Sequence, residues 1–330
     1  MEQDRDVILE VIYLTKSFHL SDSKGRGYDL TAVNKVCFQV KRGEIYGIVG
    51  ESGCGKSTLG RCVMRLIRPS GGEVRYHGRD IARMNRKEMC EVRKAIQIVF
   101  QNPFASFNPR KRIGKTLHEV LRHFKLYAGR EEERILEILG KVNMGADALR
   151  KYPHQFSGGQ LQRLAIARSL LVEPEIIIAD EPVSALDVSV QAQVVNLLMD
   201  LRDEMGVSII FIAHDLSVVE HISDRAGVMY VGHLVEQSGI GELYHSPMHP
   251  YTEGLLSAIP VPDPSLPPVK AVLDGETPRP LHLPEGCIFS SRCYRREKCC
   301  VNCDNQRNFG TKSHLCTCLL ARSGKEWIIK

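Results

Sequence analysis

The residues best suited to chemistry in this chain are nine in a row: Gly50, Glu51, Ser52, Gly53, Cys54, Gly55, Lys56, Ser57 and Thr58. They fit the spacing G-x-x-x-x-G-K-[ST], with an apolar strand-like run before them and a helical pattern after them. That context turns the spacing into a phosphate cradle. Glycines let the backbone N–H groups of residues 53–58 converge on a phosphate chain, and the new helix adds the positive end of its dipole. Lys56 adds a full charge between the β- and γ-phosphates, and the Ser57 hydroxyl suits Mg²⁺. Cys54 lies inside this loop, which predicts that thiol alkylation inactivates the chain and that bound nucleotide protects it.

A second set of chemical residues lies at the end of an apolar run, residues 176–179, in the order Asp180, Glu181, Pro182. Two carboxylates closing a buried strand are costly unless they serve a cation or a proton. The reading is that Asp180 holds Mg²⁺, directly or through water, and that Glu181 polarises an attacking water as general base. A third set, Phe156-Ser157-Gly158-Gly159-Gln160, opens a helical pattern. Ser157 suits an N-cap, and the glycine pair exposes amides at the positive end of the helix. This is a second anion site without a lysine. One chain cannot easily bring both anion sites onto one γ-phosphate, whereas two chains, head to tail, can each complete the other's site.

The elements that must position these residues alternate. Residues 45–49, 96–100, 176–179 and 207–213 read as buried strands, and a long helical stretch covers roughly residues 113–171. Strand–helix alternation with continuous apolar strands implies a mostly parallel, covered sheet. Residues 7–40 alternate apolar and polar around a Gly/Ser/Asp-rich turn at 21–27, which predicts antiparallel strands on one edge. The fold class is α/β.

Composition bounds the rest. A chain of 330 residues with 43% hydrophobic and 25% charged residues is not disordered and not collagen-like, and its length suits about two domains. No run reaches the ~18 apolar residues of a membrane helix, and the polar, acidic start predicts no signal peptide, so the chain reads as soluble. Half of the 16 prolines fall between residues 260 and 284, which predicts an extended linker after a large domain, residues 1–262, and before a small one within residues 263–330. Seven of the eleven cysteines crowd into that last segment: Cys287, Cys293, Cys299, Cys300, Cys303, Cys316 and Cys318. A reducing compartment disfavours disulfides, so such a cluster reads first as a metal site. The basic excess lies there too, with 11 Lys and Arg against 7 Asp and Glu from Asp263 onward, in a chain of net charge +5.

Taken in order, these residues resemble the ATP-binding-cassette (ABC) ATPases. Residues 156–160 look like that family's signature sequence. Gln101 matches its Q-loop glutamine, which touches Mg²⁺ and water and senses the membrane subunit. Ser184-Ala185-Leu186-Asp187 matches the D-loop, and His214 matches the switch histidine that contacts the γ-phosphate and orders the base. Phe18 sits where the family stacks an aromatic on adenine, with Tyr13 nearby. Residues 50–58, 101–110, 181–189, 249–252 and 255–260 narrow the resemblance to the ATP-binding subunits of oligopeptide/dipeptide importers, a group that includes nickel importers.

The resemblance covers nearly the whole chain. It implies an ABC-type nucleotide-binding domain with a RecA-like parallel core, an antiparallel β edge and a helical subdomain over about residues 104–170. It implies ATP and Mg²⁺ as ligands, Asp187 and residues 157–160 acting at a shared interface, and a second ATPase subunit, identical or not. Two transmembrane permease subunits, an extracytoplasmic solute-binding protein and a peripheral place on the cytoplasmic face of the membrane follow from it, with no nucleic acid. Cys287, Cys293, Cys300 and Cys318 resemble the family's C-terminal cysteine motif, which in some members holds a [4Fe–4S] cluster, and Arg292, Arg295, Arg296 and Lys298 would offset its charge. Cys299, Cys303 and Cys316 depart from that motif, and Cys300-x2-Cys303 with Cys316-x-Cys318 could instead hold Zn²⁺, or no metal at all. The rival from another class is a soluble ABC ATPase acting on DNA or ribosomes.

Overall fold

The computed structural model describes residues 6–21, 25, 27–259, 273, 275, 278, 284–303, 308–311 and 313–321. The chain opens with β1 (Val7–Ser21), β2 (Gly27–Lys41), β3 (Ile45–Val49), α1 (Lys56–Val63), β4 (Gly71–Tyr76), β5 (Arg79–Asp80), α2 (Arg86–Ala95) and β6 (Ile96–Val99). It continues through α3 (Ile113–Phe124), α4 (Glu131–Lys141), α5 (Gly158–Leu170), β7 (Ile176–Asp180), α6 (Val188–Met205) and β8 (Ser208–Ala213). The last part holds α7 (Leu216–Ile222), β9 (Arg225–Tyr230), β10 (His233–Gly239), α8 (Ile240–His245), α9 (Pro250–Ser257), β11 (Phe309–Gly310) and β12 (Leu315–Cys316).

The chain divides into two compact units. One comprises residues 1–9, 40–45 and 76–213. In it β6, β7 and β8 pair in parallel, with Ile98 opposite Ile178 and Ile178 opposite Ile210. Residues 176–179 and 209–212 are at most 1% exposed, as expected of strands covered on both faces. Each such isoleucine contributes about 1.5–3 kcal/mol through burial. The long helical stretch expected from the pattern is instead three helices. α3 ends at Lys125, which takes a left-handed conformation, and two 3₁₀ turns, Ala146–Arg150 and Pro153–Gln155, separate α4 from α5. Local chemistry also sets the helix starts: Ser157 and Gln160 form a capping box on α5, and Asp187 caps α6, which stops at Gly206 with φ 65°.

The other unit comprises residues 10–39, 46–75 and 214–330. Here β3 pairs in parallel with β9, Ile48 opposite Gly227, and β9 pairs antiparallel with β10. β12 adds to β10 antiparallel, Glu236 opposite Cys316, and β11 adds to β12. β2, β1 and β4 lie side by side in that order. Strands therefore stand on either side of the predicted turn, of which residues 22–24 and 26 lie outside the described residues. Of the prolines between 260 and 284 only Pro278 and Pro284 are described, so the expected boundary at residues 262–263 lies outside as well. Among the described residues no helix is long and apolar enough to cross a membrane.

Candidate active site

The expected site residues fall into two sets, one in each unit. In the unit that carries β3, residues 50–55 turn the chain from that strand into α1. Gly55 is the N-cap residue, with φ 107°, and no side chain caps the helix. A Cβ on Gly55 would lie 2.1 Å from the Ala32 carbonyl oxygen, and one on Gly50 would lie 2.1 Å from that of Met229. Only glycine fits either position. The turn leaves Lys56, Ser57 and Thr58 in the first turn of α1, where helix amides collect and favour an anion. Lys56 is 3% exposed, and its Nζ donates to the Gly50 oxygen at 2.7 Å and the Glu51 oxygen at 3.0 Å. The buried ammonium is thus partnered by the loop it serves.

Glu51 is held from two further sides. Its N–H donates to Tyr251 Oη at 3.0 Å, and its carboxylate accepts from both guanidinium nitrogens of Arg292, at 2.8 and 2.9 Å. Ser52 and Gly53 are exposed. Cys54 is 2% exposed, and burial pushes its thiol pKa up despite Lys56 beside it. Phe18 is half-buried on β1 with Lys16 Nζ 4.8 Å from its ring centre, whereas Tyr13 is exposed. His214 is exposed and directly follows β8.

In the unit that carries β7, Asp180 ends that strand and is 2% exposed. Glu181 follows with φ 47°, a left-handed conformation that a residue with a side chain seldom takes. Two contacts hold it there: its N–H donates to the Ile212 oxygen at 2.9 Å, and its carboxylate accepts from Gln101 Nε2 at 2.9 Å. Gln101 also donates to Ser184 Oγ at 3.2 Å, and that hydroxyl donates to the Glu181 oxygen at 3.1 Å. Gln101 and Glu181 are thus brought together, and Ser184 is the added partner. It was legible only as a D-loop residue, since a small hydroxyl three places after Glu181 carries no stronger signal.

Ser157 Oγ accepts from the Gln160 N–H at 3.3 Å, and the Gln160 side chain accepts from the Ser157 N–H at 3.1 Å. A Cβ on Gly159 would lie 2.3 Å from Val190 Cγ1, so the second glycine of the pair lets α5 approach α6. Asp187 accepts from the Ser189 hydroxyl at 2.7 Å and the Val190 N–H at 3.0 Å, and the hydroxyl first of all holds its carboxyl below the usual range. The neighbouring Val188 is 82% exposed. A cavity of about 360 Å³ lies against Gln101, Phe104, Gln162, Pro182 and Leu186.

The C-terminal cysteines do not form the expected ligand set. All eleven cysteines are free, and among the described residues no group of three or more His, Cys, Asp and Glu is placed to hold a metal ion. Cys287, Cys293, Cys300 and Cys318 neighbour one another electrostatically. Burial pushes Cys293 up, pushes Cys318 up to about 12 and raises Cys316 well above its ordinary value. Only Cys287 is lowered, by a hydrogen bond from the Cys303 thiol, which is raised in turn. Two of the four cations expected to offset a cluster have other partners: Arg292 grips Glu51, and Arg295 grips Glu253 of α9 at 2.6 and 2.7 Å. His314 Nε2 lies 2.7 Å from the buried Glu236 carboxylate of β10.

A family model described as ABC transporter matches residues 33–184, and one described as the C-terminal region of oligopeptide/dipeptide transporters matches residues 235–300. Over 327 residues the chain is 44% identical to the oligopeptide transport ATP-binding protein OppF of Haemophilus influenzae, covering 97% of this chain and 98% of that one. Over 273 residues it is 50% identical to the dipeptide transport ATP-binding protein DppF of the same species, covering 82% and 84%. A dimeric, post-hydrolysis structure of the ATP-binding cassette MJ0796 with ADP and Pi is similar at a TM-score of 0.63 and 27% identity, over 71% of this chain and 99% of that one.

Proposed function

The chain belongs to the ATP-binding subunits of oligopeptide and dipeptide ABC transporters, and from that premise we propose how its residues divide the work. It is an ATPase that powers peptide import through a membrane transporter. Lys56 and the amides of residues 53–58 bind the β- and γ-phosphates, and Phe18 stacks on the adenine. The donors Ser57, Asp180 and Gln101 are all hard oxygen groups and fit Mg²⁺, which when bound offsets charge on the phosphate oxygens. Water attacks the γ-phosphorus as Glu181 takes its proton, and the bond to the leaving ADP oxygen breaks. His214 contacts the γ-phosphate. Residues 157–160 and Asp187 act on the nucleotide of a second cassette, so the sandwiched dimer is the hydrolysing form.

The observation that carries this reading is the Gln101–Glu181 hydrogen bond, which aims a carboxylate at the end of the strand that Asp180 closes. In this reading residues 1–262 form the cassette, with a helical subdomain over about residues 104–170, and residues 263–330 form a C-terminal addition. The cavity beside the half-exposed Phe104 receives a segment of one of two membrane subunits, and an external solute-binding protein delivers the cargo. The subunit then sits peripherally on the cytoplasmic face of the membrane. The names of the relatives favour peptides over nickel and over nucleic acid. The thiols as arranged do not fit a [4Fe–4S] cluster or Zn²⁺, and hydrolysis is assigned to the nucleotide residues.

The test is Mg²⁺-dependent ATP hydrolysis by the complete transporter in liposomes. Peptide-loaded binding protein should stimulate it. Hydrolysis indifferent to peptides, or stimulated by nickel instead, would sink the peptide assignment.

A further inference from the structure

A carboxylate in a loop built for phosphates is a liability, because like charges repel across a shared site. Glu51 is such a carboxylate, and the chain disposes of it in a specific way. Arg292 meets it with two parallel hydrogen bonds, 2.8 and 2.9 Å, the geometry that gives the strongest and most directional ion pairs. The Arg292 side chain is 5% exposed and that of Glu51 is 25% exposed, so water competes little. The Tyr230 ring lies beneath the guanidinium, 5.8 Å from its centre.

Arg292 is itself braced. Its N–H donates to the Phe289 oxygen at 3.0 Å, and the Ser290 N–H donates to the Cys287 oxygen at 3.0 Å, which folds residues 287–292 into a turn. The Phe289 ring is 1% exposed and packs on Tyr230, Tyr251 and His249 at 5.3, 5.5 and 5.6 Å. Tyr251 in turn accepts the Glu51 N–H. One residue of the phosphate loop is thus tied by its carboxylate and its N–H to a single packed cluster, while its carbonyl accepts from Lys56.

We propose that Arg292 is a positioning residue for the phosphate loop: its grip on Glu51 holds residues 50–53 in the shape that receives the triphosphate. This rests on the nucleotide-binding reading of that loop. The grip pre-orders a glycine-flanked loop whose ordering would otherwise be charged against nucleotide binding.

The experiment is a double-mutant cycle on the full chain with its transporter partners, reading KM and kcat for ATP. Arg292→Ala should raise KM about tenfold while kcat stays within about twofold; Glu51→Gln, which loses the tie and the repulsive charge together, should raise KM less, and the double variant should match Glu51→Gln rather than multiply the singles. Arg292→Lys, which keeps the charge and loses the fork, should fall between. A merely structural role would lower the fraction of active protein, and so kcat, and leave KM unmoved. Unchanged KM in Arg292→Ala, or singles that multiply in the double variant, would overturn the proposal. If Arg292→Ala does not fold, Glu51→Gln decides alone, since it keeps the side-chain volume, and an unchanged KM there overturns the proposal. Wild-type protein that binds no ATP would instead refute the reading of the loop.

Discussion

At the phosphate loop, Lys56 and Cys54 are 3% and 2% exposed, and Glu51 is fixed through its N–H, its carbonyl and its carboxylate. At the other set of site residues, Gln101, Ser157, Gln160 and Asp187 are all exposed, and Val188 beside them is 82% exposed. The first region is completed by this chain's own contacts. In the second, apart from the buried Asp180 and the Glu181 it precedes, side chains and helix amides are turned to solvent and held by short-range bonds, Ser157 with Gln160 and Asp187 with Val190. A loop that binds must be ordered before its ligand arrives, whereas a surface proposed to close on a second cassette must remain available. Substitutions in the two regions should therefore fail differently.

The largest effect is expected at Glu181, the base proposed for the second region. Glu181→Gln keeps the hydrogen bond with Gln101 and loses the proton acceptor, so turnover should fall by about a thousandfold while ATP binding persists. The variant should also accumulate as a closed dimer with ATP, seen by size exclusion. Near-normal turnover would remove Glu181 from the role of base. At the first region, Lys56→Ala removes a buried charge that the loop carbonyls surround, and ATP affinity should fall about a hundredfold by equilibrium binding. If the loss appeared in turnover instead of affinity, the contrast between a binding region and a closing region would be wrong.

How far each region was legible follows from the range of the contacts. The strands around the loop, the Ser157 cap and the Asp180–Glu181 strand end depend on neighbours in sequence, and the pattern shows them. The breaks in the helical stretch do not announce themselves, because Lys125 turns left-handed without being a glycine. Arg292 and Glu51 are 241 residues apart, and no local pattern pairs one cation with one carboxylate across that distance. The cysteine spacing suggested a metal for a related reason. Spacing tells which thiols are near one another along the chain, but whether three or more donors converge in space is a property of the fold.

Acid should loosen the first region before the second. His249 sits in the aromatic cluster with Phe289 and Tyr251, fully enclosed, and burial above all lowers its pKa to about 4, with Arg295 adding to the shift and the Glu236 carboxylate opposing it. The unfolded chain takes up this proton near its ordinary value and the folded chain only near 4. Stability from the neutral ring is therefore full above about pH 6.5 and is lost as pH falls toward 4, about 2 kcal/mol between pH 7 and pH 5. Thermal melts at the two pH values should show the loss, and His249→Gln should flatten it. A wild-type melt that does not move would mean the ring is not buried as a neutral group.

The smallest effect distinguishes two roles of one residue. Asp187 caps α6 through the Val190 N–H at 3.0 Å, so Asp187→Ala should cost about 1 kcal/mol of stability. Asparagine keeps a cap acceptor, and Asp187→Asn should recover most of that loss. If Asp187 is only a cap, hydrolysis should recover in the asparagine variant together with the melting temperature. If its charge also acts across the interface with a second cassette, Asp187→Asn should melt like the wild type and still hydrolyse ATP more slowly, with KM unchanged. That split belongs to a region that closes. A KM that rose with the lost charge would place Asp187 with the phosphate loop instead, and the division of the site into a region that binds and a region that closes would have to be redrawn.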